Sequence, residues 1–271
     1  MKINVLGYGV MGRQIASLLF IGGYDVTVWS RSGIAVEDIN RGIRLAKKQF
    51  SKYTEGSITV VPSLENFEDN LTIESVKEDL CIKRDMYAAL KSRITKGYFS
   101  NTSSFSPNEI GDGVGGMHFF NPITIKLIEV YWPNSFAVSV EYNSMISYLS
   151  AQEFSIIEAN ANRGYLGNYI LFSEISSAFR LIEKYGYSPE KIRNIYKNLY
   201  NGRDLFQIVD IIGIDVVFQI LKNLSEVDHF IYVPQVFSSA INKNILGRKN
   251  KTSILDLAVL KGNDRGGTEN V

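Results

Sequence analysis

The opening twelve residues constrain the fold more than any other part of the sequence. An apolar run at 3–6 leads directly into Gly7-Tyr8-Gly9-Val10-Met11-Gly12, which has the spacing G-x-G-x-x-G. The pattern predicts a strand, then a helix over 10–21 that ends at the glycine pair 22–23, then a second strand over 25–29. A glycine element in this strand–turn–helix–strand setting is typical of dinucleotide-binding folds.

Each glycine of that element has a separate expected task. Gly7 permits the tight turn, Gly9 lets a pyrophosphate approach the backbone, and Gly12 lets the helix pack closely on the strand. The phosphates would lie on the unpaired amides at the start of the helix, at Val10 and Met11, where the helix dipole is positive. The alternative interpretation is a glycine-rich turn in an α/β protein that binds nothing.

The residues after the second strand indicate which dinucleotide is bound. An NAD site usually has an Asp or Glu there, which bonds to the ribose 2′-hydroxyl. This sequence has Ser30-Arg31-Ser32 instead, and a guanidinium flanked by hydroxyls suits a 2′-phosphate. We therefore expect NAD or NADP as cofactor, with NADP favoured. The alternative is that Arg31 simply faces solvent.

Composition narrows the class of protein. Hydrophobic residues make up 45% of the 271 residues, enough for a large core, and the net charge of +1 favours neither nucleic acid nor a membrane as partner. Cys81 is the single cysteine, which excludes an intrachain disulfide and fits a reducing cytoplasm. We expect no signal peptide before the first strand, and no apolar run of the sequence approaches the ~20 residues needed to span a bilayer. No metal site is predicted, and the polar segment 261–268 is expected to be loosely ordered.

The order of predicted elements indicates two domains. Strands at 57–61, 71–73, 97–100 and 154–157 alternate with helices at 37–53, 80–94 and 140–149, which predicts a doubly wound, mostly parallel, Rossmann-type sheet. After Asn162 the pattern is helical, including stretches at 206–224 and 234–246. We therefore expect a dinucleotide-binding domain over 1–162 and an all-α substrate and dimerisation domain over 163–271, with a ligand cleft between them.

Several short motifs follow the glycine element. They are Glu74-Ser75-Val76-Lys77-Glu78 with Lys83, Ser100-Asn101-Thr102-Ser103-Ser104, His118-Phe119-Phe120-Asn121-Pro122, Lys126-Leu127-Ile128-Glu129-Val130, and Asn162-Arg163-Gly164-Tyr165 with Asn168. On these motifs the sequence resembles the L-3-hydroxyacyl-CoA dehydrogenase family over nearly its whole length. The resemblance implies a 3-hydroxybutyryl-CoA dehydrogenase-like oxidoreductase that interconverts 3-hydroxyacyl and 3-oxoacyl groups with a nicotinamide cofactor.

A histidine is the expected proton carrier for such a reaction, because oxidation of a secondary alcohol needs a base that works near neutral pH. The sequence has two histidines, His118 and His229. His118 follows a predicted glycine-rich turn near a strand end, where α/β folds place their ligands. A structural histidine beside Phe119 and Phe120 explains the residue equally well without the resemblance. The resemblance implies that His118 is the general acid/base and that Glu129 fixes its tautomer.

The resemblance implies roles for five further residues. Ser103 and Asn168 match positions that hold the substrate oxygen, Asn101 would lie near the nicotinamide, and Glu78 and Lys83 match cofactor-side positions. Each has a simpler alternative. Ser103 can be a strand-end cap, Asn168 an early-helix asparagine, and Glu78 with Lys83 an exposed charge pair.

The sequence departs from the family at three places. Ser30 and Arg31 replace the acidic ribose residue. Residues 31–56 provide one helix where the family has a long helical hairpin that helps to hold the CoA nucleotide. The family's Pro-Gly-Phe turn is Gly164-Tyr165 without the proline, and the turn at 201–206 in the helical domain also differs. These changes indicate a reshaped substrate cleft.

Three functions are consistent with these observations. The first is hydride transfer on a 3-hydroxyacyl-CoA thioester by a homodimer. The second is the same chemistry on an acyl unit bound to a carrier protein, or on a free hydroxy acid, in a biosynthetic pathway. The third is a non-catalytic, dehydrogenase-like binding protein, against which the joint presence of His118, Glu129, Ser103 and Asn168 argues.

Overall fold

The computed structural model describes residues 1–133 and 138–257. The chain divides into two compact units, of which the first is Met1–Leu166 and the second begins at Gly167. The polar segment 261–268 lies outside the described residues.

The first unit is built from strands joined by helices. The strands are β1 (Lys2–Leu6), β2 (Asp25–Trp29), β3 (Ser57–Val60), β4 (Leu71–Glu74), β5 (Tyr98–Ser100), β6 (Val114–Phe119), β7 (Leu127–Tyr131) and β8 (Ser155–Glu158). The helices are α1 (Val10–Ile21), α2 (Val36–Gln49), α3 (Leu80–Leu90), α4 (Pro107–Ile110) and α5 (Val140–Ala151). The hydrophobic pattern predicts β1 to β5, β8 and the helices α1, α2, α3 and α5, whereas β6, β7 and α4 were not predicted.

The eight strands of the described residues belong to one sheet, in the order β3-β2-β1-β4-β5-β6-β7-β8. Neighbouring strands run parallel, with the exception of the antiparallel pair β6 and β7. The direction of winding reverses between β1 and β4, and doubly wound sheets bind their ligands beyond the strand ends at this kind of switch point. The predicted Rossmann-type fold is confirmed.

β1 is buried on both faces, which explains why it reads as a continuous apolar run. Ile3 and Val5 belong to a large core that includes Leu19 of α1, whereas Leu6 belongs to a separate cluster with Leu90 of α3. The strand that carries the glycine element is thus fixed from both sides.

α2 is shorter than predicted, because Phe50 leaves the helical path. Its backbone is extended, with φ −123°, and its ring is buried and stacks on Phe154 at 6.0 Å. The helical periodicity that suggested continuation to residue 53 therefore reflects burial of Phe50 beyond the helix end.

The second unit is helical, as expected. Its helices are α6 (Gly167–Tyr185), α7 (Pro189–Leu199), α8 (Leu205–Ile212), α9 (Ile214–Ser225) and α10 (Gln235–Asn242). Phe179 of α6, Phe206 of α8 and Phe237 of α10 meet in its core. The predicted stretch 206–224 is two helices, because Gly213 adopts φ +101° and breaks the helical path between α8 and α9.

Candidate active site

The glycine element forms a close junction between β1 and α1. Gly7 has φ +95°, and a Cβ there would lie 2.6 Å from the carbonyl oxygen of Ser75. A Cβ on Gly12 would lie 2.1 Å from the carbonyl oxygen of Gly7. Both positions therefore require glycine, one for its conformation and one for the close approach of helix and strand.

Gly9 differs from these two glycines because the space in front of it is open. A Cβ on Gly9 would meet no described atom within 4 Å, so this glycine is not explained by packing within the chain. Arg13 donates the first helical hydrogen bond, to the Gly9 carbonyl, which leaves the amides of Val10 and Met11 ahead of the helical ladder. In the described chain α1 has neither a side-chain N-cap nor an acidic residue in its first turn. An exposed, uncapped helix end behind a glycine fits a pyrophosphate.

Ser30, Arg31 and Ser32 follow β2 at the same edge of the sheet. The Gly7 amide donates to the carbonyl oxygen of Trp29 at 2.8 Å, which ties the end of β2 to the glycine element. The hydroxyls of Ser30 and Ser32 are 3.2 Å apart, and the Arg31 side chain is exposed. The three residues form a polar turn beside the dinucleotide element.

His118 and Glu129 face each other across the antiparallel strands β6 and β7. Their positions are in direct register on β6 and β7, which places both side chains on one face. His118 Nδ1 lies 2.9 Å from Glu129 Oε2, and both side chains are buried, with 5% and 2% of their surface exposed. Glu129 Oε1 accepts a hydrogen bond of 2.9 Å from the Leu166 amide. The carboxylate can therefore fix the imidazole in one tautomer.

The predicted glycine-rich turn before His118 is wrong. Gly115 and Gly116 lie inside β6, where rings take the space of their missing side chains. A Cβ on Gly115 would lie 2.5 Å from the Phe99 ring, and one on Gly116 would lie 2.2 Å from the Tyr165 hydroxyl. The glycines are needed for packing, which a turn-based interpretation of their pattern misses.

The loop after β5 is organised by Glu78. Glu78 Oε1 accepts from the Thr102 hydroxyl at 2.6 Å, from the Ser104 hydroxyl at 2.7 Å, and from the amides of Ser103 and Ser104 at 2.9 and 3.0 Å. Asn101 points the other way and accepts from the Phe119 amide at 2.9 Å. The loop that carries Asn101 and Ser103 is thus tied to the segment before α3 on one side and to the end of β6 on the other.

The exposed charge pair considered for Glu78 and Lys83 is a wrong interpretation, because Lys83 is buried. Only 1% of its side chain is exposed, and its Nζ lies 3.0 Å from Glu74 Oε1 and 3.1 Å from Glu78 Oε2. Glu74, fully buried at the end of β4, also accepts from the Ser100 hydroxyl at 2.6 Å. Glu74 was not predicted as a site residue; the signal for it is a carboxylate that ends an otherwise apolar strand.

The charges in this cluster stabilise one another. Burial raises the pKa of Glu78, but the Lys83 ammonium and the hydrogen bonds from Thr102 and Ser104 outweigh that effect and leave the pKa below its usual value. Burial lowers the pKa of Lys83, but Glu74 and Glu78 outweigh it and the pKa is raised. Both groups are therefore charged at neutral pH.

The remaining predicted residues lie in the second unit. Asn168 is buried in the first turn of α6. His229 is exposed beside Phe230, their ring centres 4.4 Å apart. Within 1–133 and 138–257, no three His, Cys, Asp or Glu side chains are grouped to hold a metal ion, and none of the helices there is long and apolar enough to cross a membrane.

Comparison with known proteins places the chain in a family. Residues 2–135 match the model of the 3-hydroxyacyl-CoA dehydrogenase NAD binding domain, and residues 164–257 match the C-terminal domain of the same family. A 3-hydroxybutyryl-CoA dehydrogenase of Clostridioides difficile is 30% identical, over 94% of this chain and 99% of the relative.

Solved structures share the fold. The crystal structure of M. tuberculosis FadB2 has a TM-score of 0.80 at 23% identity and covers 93% of this chain and 97% of its own. That of (S)-3-hydroxybutyryl-CoA dehydrogenase PaaH1 from Ralstonia eutropha has a TM-score of 0.76 at 22% identity, with the same coverage of both chains. On the two family matches and the C. difficile relative, the chain belongs to the 3-hydroxyacyl-CoA dehydrogenase family of oxidoreductases.

Proposed function

We propose that this enzyme interconverts a 3-hydroxyacyl and a 3-oxoacyl group, with His118 as the general acid/base and Glu129 as its partner. The observation that carries the proposal is the buried contact of 2.9 Å between His118 Nδ1 and Glu129 Oε2. With Nδ1–H donated to the carboxylate, Nε2 is the nitrogen that takes the proton from the alcohol or returns it to the ketone. Glu129 also stabilises the imidazolium that forms when the proton arrives.

A nicotinamide dinucleotide, when bound, supplies the redox chemistry by accepting or returning the hydride. Gly7, Gly9 and Gly12 with the amides of Val10 and Met11 would hold its pyrophosphate. The open space at Gly9 and the uncapped start of α1 support this assignment. Asn101 would lie beside the nicotinamide, and Glu78 and Lys83 would support that side of the site through their contacts with the 101–104 loop.

The substrate oxygen needs hydrogen-bond donors aimed at it as its charge changes. We assign this task to Ser103 and Asn168. Ser103 is half-buried, and its amide is held by Glu78, which limits the motion of the loop. Asn168 is assigned on the family resemblance and follows Leu166, whose amide contacts Glu129, by two positions in sequence.

NADP is the proposed cofactor, although the matching family model is described as NAD binding. The support is the turn Ser30-Arg31-Ser32, which presents two hydroxyls and a guanidinium and has no carboxylate to repel a 2′-phosphate. An acidic residue in the same turn would have favoured NAD.

The segment between β2 and β3 bears on whether the acyl group is carried by CoA or by another carrier. β2 and β3 are joined through the single helix α2, which has 14 residues, where the family resemblance leads us to expect a helical hairpin that holds the CoA nucleotide. α2 also exposes Arg41, Arg44 and Lys48. An acyl group on an acidic carrier protein, or a free hydroxy acid, is therefore our second candidate for the substrate.

A homodimer formed through the second unit is also proposed. This unit exposes large apolar side chains. Among them are Tyr185, Leu199 and Phe230, which are 69%, 70% and 74% exposed. Side chains of this size and number are typical of a covered surface. Light scattering that gives the mass of one chain would reject the dimer.

The central experiment replaces His118 by Ala and measures acetoacetyl reduction together with cofactor binding. We expect turnover to be abolished while the affinity for the reduced cofactor is unchanged, and Glu129→Gln to reduce kcat by about 10²- to 10⁴-fold. Glu158→Gln, an exposed carboxylate on β8, is the matched control. Unchanged turnover in the His118 variant would remove the imidazole from the mechanism. The assay is run with the acetoacetyl group on CoA, on a carrier protein and as the free acid, and the relative rates decide among these three substrates.

A further inference from the structure

The segment before α6 makes a strained turn that contacts both members of the catalytic pair. Gly164 has φ +74° and Tyr165 has φ +49°. The left-handed region suits glycine but is costly for tyrosine, so surrounding contacts must hold Tyr165 in place. Strain of this kind clusters at functional sites.

Two consecutive residues of this turn act on the two members of the pair. The Tyr165 ring lies almost parallel to the His118 imidazole, with ring centres 5.4 Å apart and planes 10° apart. The next amide, that of Leu166, donates to Glu129 Oε1, the oxygen that His118 does not use. The ring limits the tilt of the imidazole, and the amide limits the rotation of the carboxylate.

The other end of the turn is fixed to α4. The Arg163 guanidinium forms a two-point ion pair with Glu109, at 2.8 and 2.5 Å. Glu109 is itself part of the N-terminal capping box of α4. The turn is therefore a rigid bridge between α4 and the pair His118–Glu129.

The part of Tyr165 that contacts the His118 imidazole is its ring and not its hydroxyl. The ring is 3% exposed, and Gly116 provides its space on β6, two residues before His118. Within the described chain the hydroxyl has no hydrogen-bond partner. Burial and the nearby carboxylates of Glu78, Glu129 and Glu74 raise its pKa far above the usual value, so it stays neutral and cannot serve as a base.

We propose that Tyr165 is a positioning residue for the reaction: its ring, stacked on His118, keeps the imidazole aligned with Glu129 for proton transfer. This inference rests on the proposed function of His118. A phenyl ring in this position would align the imidazole equally well, because the hydroxyl is not needed.

The test compares Tyr165→Phe with Tyr165→Leu. Because a small misplacement of a catalytic group can cost up to about 10²-fold in rate, we expect Leu to lower kcat by about 10-fold or more with little change in KM. The pH of half-maximal kcat/KM should move by about half a unit or more. The Tyr165→Phe variant should keep the wild-type kcat and the wild-type pH profile. Cofactor affinity, measured by fluorescence titration, should be unchanged in both variants.

Controls separate positioning from stability. Tyr142 stacks on Phe99 with ring centres 5.5 Å apart and planes 13° apart, so Tyr142→Leu removes a similar stack elsewhere and should leave the pH profile unchanged. Tyr165→Met, which fills the space without a flat ring, replaces the Leu variant if Leu does not fold.

Wild-type kcat and pH profile in the Leu or Met variant would overturn the inference, and so would an equal loss in the Phe variant. If His118→Ala is inactive while Tyr165→Leu is normal, the positioning role alone fails. If His118→Ala retains turnover, the proposed function fails first.

Discussion

Lys83 Nζ lies 3.0 Å from Glu74 Oε1, and neither side chain has more than 1% of its surface exposed. This ion pair links α3 to the end of β4, and Glu78 and Ser100 extend it to the loop that carries Asn101 and Ser103. A buried pair of this kind is costly to break, because removing one partner leaves the other charge without compensation. The cluster therefore holds the loop of the candidate site in one arrangement.

Replacing Lys83 by Met tests how much this cluster stabilises the first unit. We expect a loss of about 3–5 kcal/mol in the free energy of unfolding, since the Glu74 carboxylate stays buried without its cation. Urea denaturation measures the loss. Adding Glu74→Gln to Lys83→Met should recover part of it, because the uncompensated charge is removed. Lys2→Met breaks an exposed ion pair with Glu68 and should leave the midpoint unchanged. Equal effects of Lys83→Met and Lys2→Met would contradict the role of burial.

The pH dependence of stability should reflect Glu78. Its pKa is lowered in the folded state. Burial raises this pKa, but the Lys83 charge and the hydrogen bonds from Thr102 and Ser104 lower it by more. Near pH 4 the unfolded chain therefore binds more protons than the folded chain at this position, so stability rises with pH. The contribution of Glu78 is complete above the ordinary glutamic acid pKa of about 4.3 and is lost as the pH falls through the folded value. We expect the free energy of unfolding of Glu78→Gln to vary less steeply with pH between about 5 and 3 than that of the wild type. Parallel curves for the two proteins would show that the carboxylate has no role in acid sensitivity.

Many strands and helices of the first unit could be predicted, because the patterns that specify them lie within short stretches of the sequence. The alternating pattern predicts the elements, and the glycine element predicts the junction of β1 and α1. Glycine is a strong turn signal, so the sequence predicts a turn at Gly115 and Gly116, where the structure has β6. The rings that fill their space, Phe99 and Tyr165, come from distant parts of the chain.

The cluster around Lys83 could not be predicted for the same reason. Glu74, Lys83 and Ser100 lie on three different elements, and nothing in their spacing indicates that they meet. The pairing of His118 with Glu129 followed from a family resemblance and not from sequence spacing. The antiparallel register that joins them is a property of the folded sheet.

Gly9 and Gly12 should respond differently to replacement by alanine. A Cβ on Gly9 would meet no described atom within 4 Å, whereas one on Gly12 would lie 2.1 Å from the Gly7 carbonyl oxygen. We expect Gly9→Ala to fold normally and to weaken cofactor binding by about 10-fold or more, equivalent to ~1.4 kcal/mol. Gly12→Ala should lower the free energy of unfolding by about 1–3 kcal/mol, as overpacking does. Thermal unfolding without cofactor and a cofactor titration separate the two effects. A Gly9 variant that binds cofactor normally would mean that the open space is not a phosphate site.

Arg31 should decide the preference between the two cofactors. Its side chain is exposed in the turn after β2, beside the hydroxyls of Ser30 and Ser32. If its guanidinium binds the 2′-phosphate, Arg31→Ala removes a charge-assisted hydrogen bond worth about 1.5–3 kcal/mol, so NADPH affinity should fall about 10- to 100-fold while NADH affinity changes little. Lys48→Ala is the matched control, because it removes the same charge from an exposed position near the far end of α2. Tighter binding of NADH than of NADPH by the wild type would reject the preference for NADP. An equal loss for both cofactors in Arg31→Ala would show that the guanidinium contributes a general attraction and does not recognise the 2′-phosphate.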